Sequence, residues 1–224
     1  EDKIIADYRI KIVSIPLNTK VKYIPAGSKT KPFLTTEYAN YKYLTKMFIQ
    51  ATNWEKDNNK LPLAKKEPSK KRWIESLIGQ RARAIYGYKS KIELTKKLLS
   101  TINGKALVFT GLTSNNIVSH KYDSKQGDEN LDLFKEGKIK HLQVVAKVSM
   151  GQTIPDLKIG VFHQLKSNSE MMLQKALRMC NYEDGKPAII YIFVYENTQD
   201  EKWVNRAIAM LDPKKIEYIH HKSI

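Results

Sequence analysis

HLQVVAKVSMGQTIPDLKIGVFHQL, residues His141 to Leu165, sets two strand-sized apolar runs on either side of a connection that holds Gly151 and Pro155. "LQVVAK" reads as a strand, and "VSMGQTIPDL" as the loop leaving its carboxyl end. Gly151 permits a tight turn or close approach of backbone to a ligand, while Pro155 stiffens the exit. Outward from this stretch, "ALVFT" (106–110) is a short buried strand, and further strands fall near 117–122, 142–147, 158–163 and 188–195. Helical patterns lie between them at 129–135, 170–179 and 203–210. Strands alternating with helices predict an α/β fold with a doubly wound, mostly parallel sheet. Ligands of such sheets bind at the carboxyl ends of the strands, which places the Gly151 connection on that edge.

The first 103 residues have a different texture. Residues 4–17, "IIADYRIKIVSIPL", alternate well enough for an entering strand that stops at Pro16. Residues 18–33 are punctuated by Lys, Gly and Pro and read as a loop or hairpin excursion. Thr35 and Thr36 are caps for a helix through about Ala51, with Tyr38, Tyr41, Leu44, Phe48 and Ile49 along one face. "DNNKLPLAKKEPS" (57–69) is linker-like, and Ser69 caps a second helix whose polar face carries Lys71, Arg72, Arg81 and Arg83. A third helix runs from about Ser90 to Ile102. Three segments result: an entering strand (1–17), a loop and basic helical segment (18–103) and an α/β core (104–224).

Charge separates the same halves. The 224 residues carry 39 Lys/Arg against 23 Asp/Glu, a net +16. Residues 1–103 hold 22 basic and 9 acidic residues, and residues 104–224 hold 17 and 14. A strongly basic half beside a nearly neutral one predicts a polyanionic partner, nucleic acid by default; lysine-rich solvated helix faces are the plain alternative. A hydrophobic content of 42% supports a real core. No apolar run approaches the roughly 18 residues of a membrane span, so no membrane partner is expected. The single cysteine, Cys180, excludes an internal disulfide, fits a reducing cytosol and reads as a small buried hydrophobe. The chain opens on Glu-Asp-Lys without an initiator Met, and the expectation is a piece of something longer.

Self-sufficient catalysis is not legible. Gly104-Lys105 and Gly185-Lys186 lack the upstream Gly and downstream Ser/Thr of a phosphate loop. No apolar strand leads directly into Asp200-Glu201, a poor Mg²⁺ box. His220-His221 join no Cys or carboxylate constellation and read as a solvated tail. Five histidines and one cysteine give no triad with familiar spacing.

Taken in order, the segments nonetheless resemble the second motor lobe of superfamily 2 helicases, with the texture of phage recombination and restriction-type DNA helicases. "GKALVFTG" (104–111) resembles motif IV. Residues 120–157 follow the pattern Tyr-x-Ser-Lys, then a Phe-x-x-Gly turn (Phe134, Gly137), then motif V. "LQKALRMCNYEDGKPAIIYIFVYENTQDEKWV" (173–204) is similar to motif VI and its trailing strand. Upstream, "ADYRIKIVSIPL" and "RARAIYGYKSKIELTKKLL" resemble the entering strand and the helix pair before motif IV, so the likeness covers roughly 4–206. It implies a RecA-like carboxyl-terminal lobe whose missing amino-terminal partner lobe, in the same protein, holds the phosphate loop and the Mg²⁺ carboxylates. ATP with Mg²⁺ is the implied cofactor, bound mainly by that missing lobe, and the whole protein is implied to be an ATP-hydrolysing helicase. This chain's implied nucleotide contacts are Gly151, Thr153, Gln174, Lys175 and Arg178, with Arg178 the cation that stabilises the transferred phosphoryl group. Gln174 stands at the opening Gln of motif VI and Arg178 at its first Arg; the second Arg position falls on Asn181, or in another register Lys175 and Arg178 are the two cations. Thr153 replaces the family's Asp at the ribose, and Lys147 stands where Thr contacts a strand phosphate, favouring a salt-sensitive point charge.

Loops at the sheet's carboxyl edge are the geometric candidates for nucleic acid: Thr110, Gly111 and Ser114, then Ser124 and Lys125, then Lys147 and Ser149. Hydroxyls, backbone N–H groups and lysines suit phosphates, so sequence-independent binding to duplex, branched or single-stranded DNA is expected. The basic helices (Lys65, Lys66, Lys70, Lys71, Arg72, Arg81, Arg83, Lys89) add duplex contacts, with Tyr86 and Tyr88 available to stack and Trp73 expected in the core. The expected location is the cytoplasm of a bacterium, or of a phage-infected host. Two other functions stay open. One is a non-catalytic nucleic-acid-binding module on a degenerate lobe, favoured by Asn181 and Thr153. The other is a stand-alone α/β enzyme, which needs an acidic or nucleophilic cluster.

Overall fold

The computed structural model describes residues 7–25, 33–112, 114–123, 128–145, 154–165, 173–174, 176–177 and 187–224. They fall into two compact units, Leu17–Tyr88 and the remainder of the chain.

The larger unit is a seven-stranded sheet in which every pairing is parallel. Its strands are β1 (Tyr8–Ile15), β2 (Ala106–Thr110), β3 (Lys121–Tyr122), β4 (His141–Val145), β5 (Ile159–Phe162), β6 (Ala188–Tyr195) and β7 (Ile216–His220). The spatial order β3-β4-β2-β5-β6-β1-β7 puts "ALVFT" near the centre, where all five of its residues are buried. Such a strand has no polar face because helices and loops cover both sides of the sheet. The entering strand slots between β6 and β7, with Ile10 opposite Ile190 and Ile216. Gly160 lets β5 and β6 close up: a Cβ there would lie 2.8 Å from Ile190 Cδ1. On the neighbouring pair the Phe109 and Phe162 rings stack at 4.4 Å.

Among the described helices of this unit are α3 (Lys89–Thr101), α4 (Glu129–Lys135) and α5 (Gln199–Ile208). The expected Phe-x-x-Gly turn closes α4: Phe134 is in the core, and Gly137, at φ 77°, lets Lys138 N–H donate back to Leu133 C=O. Helix α3 is fastened by polar bonds. The Lys91 ammonium, fully buried, pairs with the Asp200 carboxylate and donates to Phe193 C=O at 3.1 Å. Ser90 meets the Tyr195 hydroxyl at 2.8 Å, and Thr95 meets His163 Nδ1 at 2.9 Å. These bonds move the boundary expected at residue 103: the third helix is part of the sheet unit, and the separate segment ends at Tyr88.

Four further expectations are corrected. The helix from Thr36, labelled α1 (Glu37–Lys60), continues well past Ala51, because Asn, Asp and Lys do not break a helix and the first proline comes at Pro62. The strand near 117–122 contracts to Lys121–Tyr122. Helix α5 starts earlier than Trp203, at a cap in which the Thr198 hydroxyl accepts from Asp200 N–H. The expected solvated tail, His220-His221, is ordered: His220, exposed, ends the edge strand β7, registered on β1, and His221 begins a 3₁₀ turn through Ser223.

In the smaller unit α1 packs on α2 (Lys71–Gly87), and a 3₁₀ turn, Leu63–Lys65, lies between them. The joining segment is tied back to α1 at two points. Asn58 exchanges two hydrogen bonds with the Glu67 backbone, and the Glu55 carboxylate accepts from Ser69 hydroxyl and Lys70 N–H. Ser69 therefore acts on Glu55 as well as on the start of α2, where its oxygen accepts from Lys71 N–H. Among the described residues no helix is long and apolar enough to cross a membrane.

Candidate nucleic-acid and nucleotide interface

The strand order has a reversal. From β2 the chain runs to β3 and β4 on one side, and after β4 it passes β2 to reach β5 on the other. The loops leaving the carboxyl ends of the neighbours β2 and β5 therefore diverge: β2 is followed by β3 on one side and β5 by β6 on the other, the situation in which an open α/β sheet forms its ligand crevice.

One of those loops is held by a buried side chain that sequence reasoning did not single out. Gln143, in the middle of β4 and fully buried, donates to Asn115 C=O at 2.6 Å and to the Thr110 hydroxyl at 3.3 Å, and accepts from Ile117 N–H at 3.1 Å. A buried amide satisfied by loop backbone fixes that backbone, because each polar partner would otherwise lie desolvated and unpaired. The signal was a lone polar residue inside "HLQVV". Thr110 is consequently an internal residue, 2% exposed, with its hydroxyl turned to Gln143 and Leu112 C=O, which removes it from the phosphate-contacting set. Ser114 is exposed and Gly111 half-buried, so the loop presents a hydroxyl and backbone from a rigid base.

Ser124 and Lys125 lie outside the described residues. Beside them, the Tyr122 hydroxyl donates to Asp128 at 3.0 Å, and Asn130 ties α4 to β3 through Lys121 C=O at 2.8 Å. Lys147, Ser149, Gly151 and Thr153 also lie outside the described residues. Where the chain resumes, Ile154 and Leu157 are in the core and the Pro155 carbonyl accepts from Lys105 Nζ at 3.0 Å. Lys105 immediately precedes β2, and Ala106 is opposite Ile159, so Pro155 already lies at the amino ends of the strands. The Ile-Pro-Asp-Leu half of the connection is therefore structural punctuation rather than a stiff exit on the carboxyl edge.

Of the nucleotide candidates, Lys175 and Arg178, like Asn181, lie outside the described residues. Gln174 is exposed on a helical stretch, whereas its neighbours Leu173, Ala176 and Leu177 are buried. That one-sided pattern leaves an amide able both to donate and to accept, which suits a polyphosphate or sugar. Among the described residues no group of three or more His, Cys, Asp or Glu side chains converges on a point that would hold a metal ion.

In the helical unit Lys71 and Arg72 are exposed at the start of α2. Lys65, Lys66 and, in the sheet unit, Lys89 are exposed too, whereas Lys70 lies over the Trp54 ring at 3.6 Å. Arg81 is engaged internally: its guanidinium stacks 4.7 Å from the Phe48 ring and donates to the Tyr41 hydroxyl at 3.1 Å, joining α2 to α1. Arg83 is exposed and folds back over Gly79, where a Cβ would meet Nη1 at 3.3 Å. The aromatic expectations invert. Tyr86 and Tyr88 are buried, and burial pushes the Tyr88 phenol far above its ordinary pKa, while Trp73, expected in the core, is 39% exposed.

No family model matches this sequence, and no curated protein does. Solved structures match its fold. The C-terminal part of the Fun30 ATPase domain superposes with a TM-score of 0.60 at 13% identity, covering 94% of this chain and 91% of that one. S. cerevisiae Dbp5 bound to RNA and ADP BeF3 gives 0.52 at 13% identity over 59% of this chain, which spans only 39% of the Dbp5 chain. The C-terminal domain of the DEAD-box protein Dbp5 alone gives 0.50 at 12% identity, over 61% and 87%. The seven-stranded parallel sheet with its flanking helices is the RecA-like fold of helicase C-terminal lobes.

Proposed function

We propose that this chain is the carboxyl-terminal motor lobe of an ATP-dependent nucleic-acid helicase or translocase, and that the amino-terminal lobe completing its nucleotide cleft lies elsewhere in the full protein. The observation that carries this reading is the match along nearly the whole chain to the carboxyl-terminal part of an ATPase domain. The sequence order of motifs IV, V and VI supports it independently. DNA is the substrate expected from the phage and restriction-type resemblance; the RNA in the Dbp5 complex makes RNA the alternative.

When bound between the lobes, ATP with Mg²⁺ supplies a phosphoanhydride whose cleavage drives the cycle. The chain's own part is positional. Leu173, Ala176 and Leu177 anchor a helix on the core and leave Gln174 outward. Arg178 follows four residues later, a spacing that on a helix shares a face, and supplies a planar cation for charge developing on the transferred phosphoryl group. Gln143 holds the loop of Gly111 and Ser114 against the strand phosphates. Lys147 adds a point charge from the neighbouring connection.

A second reading, a non-catalytic nucleic-acid-binding module, is favoured by Asn181 standing where the resemblance expects an arginine. One experiment separates them. The full-length protein, with whatever encoded sequence precedes Glu1, is assayed for ATP hydrolysis with and without DNA or RNA. A motor shows stimulated turnover that Arg178→Ala reduces by roughly 10³-fold, the scale of an arginine finger. Nucleic-acid binding without turnover establishes the module instead.

A further inference from the structure

The helical unit, Leu17–Tyr88, concentrates the charge: 15 Lys/Arg against 5 Asp/Glu, +10 of the chain's +16. It also contains a cleft of about 630 Å³ within the unit, well inside the size range of small-ligand sites. The floor is rigid. The Tyr23 and Tyr88 rings meet edge to face at 5.9 Å, and the Asn40 amide donates to both hydroxyls, at 2.8 and 3.3 Å. The mouth is different in kind. Phe33 and Tyr43 line it yet are 51% and 56% exposed, and Arg83 lines it with an exposed guanidinium parked over Gly79.

Wet aromatic rings beside a concave site are the feature that buried-core packing does not explain. Every nucleobase has a face that stacks on such rings, whatever its sequence, and a planar guanidinium suits the adjoining phosphate. A base inside a duplex is already stacked and paired, so it does not enter without being extracted.

We propose that this cleft receives an unstacked base of single-stranded nucleic acid, stacked on Tyr43 and Phe33 with Arg83 on its phosphate. The proposal rests on the nucleic-acid reading above and adds a second point of contact, in the helical unit rather than on the sheet edge. It makes the protein prefer single strands, or the single-stranded arm of a junction, to blunt duplex.

The test is fluorescence anisotropy of the whole chain against a labelled oligothymidylate and a blunt duplex of equal length. Tyr43 and Arg83 are exposed, so their variants keep the fold. Tyr43→Ala is expected to weaken single-strand binding by roughly 5- to 100-fold and duplex binding by less than about twofold, with Tyr43→Phe near wild type. Arg83→Ala is expected to lower the salt slope for the single strand by about 0.7, one phosphate contact. A photocrosslink from 5-iodouracil in the strand is expected on Phe33 or Tyr43. Wild-type binding that Tyr43→Ala and Arg83→Ala leave intact overturns the cleft proposal and spares the nucleic-acid reading. Thymidine monophosphate binding as tightly as the strand also overturns it, in favour of a free nucleotide. Failure of the wild-type chain to bind either nucleic acid overturns both.

Discussion

Replacing Gln143 by Leu tests the link between the buried interior and the candidate loop. The substitution keeps the shape but deletes four hydrogen bonds: to Asn115 C=O, Ile117 N–H and the Thr110 hydroxyl, and a longer one from the half-buried Val118 N–H at 3.5 Å. The first three partners are buried, and a buried polar group left unpaired costs about 1–3 kcal/mol. The Thr110 hydroxyl has a weak second partner in Leu112 C=O at 3.4 Å, so the two buried backbone groups dominate the cost. The worked expectation is about 2–4 kcal/mol, lowered if the loop lifts and recovers water. That lifting is itself measurable. Hydrogen exchange at the Ile117 amide should accelerate by roughly 30- to 1,000-fold, since every 1.4 kcal/mol is a factor of ten. Single-strand affinity should fall as Ser114 and Gly111 lose their fixed placement. An Ile117 amide as protected in Gln143→Leu as in wild type, with an unfolding midpoint shifted by less than about 1 kcal/mol, would refute the assignment of Gln143 as the loop's anchor.

Three further outcomes follow from the same interior. Lys91→Met strands the Asp200 carboxylate in the core and should cost about 3–5 kcal/mol in urea unfolding, whereas the Lys91→Met, Asp200→Leu double variant should lose much less than the two singles summed. Gly160→Ala forces a methyl against Ile190 Cδ1 and should destabilise by about 1–3 kcal/mol, with Ile190→Val in the same chain recovering part of the loss. His141 is held below its ordinary value of 6.5 mainly by burial, and its Nε2 is buried without a partner; His221 is lowered by burial as well. The unfolded chain then binds more protons than the folded one as pH drops below 6.5, so stability should be full above that value and decline beneath it. His141→Gln should flatten that decline in thermal melts; an unchanged slope counts against the role of His141.

The sheet was legible because its strands are buried on both faces and so spell themselves as apolar runs such as "ALVFT" and "AIIYIFVY". β7 was not, because an edge strand with one covered face, "IEYIH", looks like a polar tail until β1 is beside it. Trp73 and Tyr88 exchanged places for a related reason. Side-chain chemistry makes both amphipathic, and only the α1–α2 contact decides which ring is enclosed. Lys91 was not singled out, because its partner, Asp200, is 109 residues away. Arg81, placed on a polar face, proved to be a cation enclosed between two α1 rings. In the candidate site the half-buried Gly111 and the exposed Ser114, Gln174, Lys71, Arg72 and Arg83 were legible as residue types in loops and on polar faces. Gln143, which fixes the β2 loop, was not, since nothing local in a strand announces a partner in another element's loop.

The buried polar groups that act on loops and helices share a location. Thr110 ends β2, His163 follows β5, and Phe193 C=O and Tyr195 close β6, where Lys91 and Asp200 meet. Interior hydrogen bonds are costly to leave incomplete and add little net stability when complete, so apolar residues of equal volume would serve folding as well. What they supply is direction: each fixes one backbone or one helix against the carboxyl edge, the edge from which such sheets hold their ligands. The sheet unit thus gives geometry with little net charge, and the helical unit gives charge, +10 in 72 residues. A pair of variants exploits that split. Substitutions among Lys71, Arg72 and Arg83 should reduce affinity and its salt dependence while leaving the sheet's hydrogen-exchange pattern untouched, whereas Gln143→Leu should loosen that pattern and lower affinity with the salt dependence unchanged. If basic substitutions in the helical unit loosened the Ile117 amide, the two functions would not be separable and the division would fail.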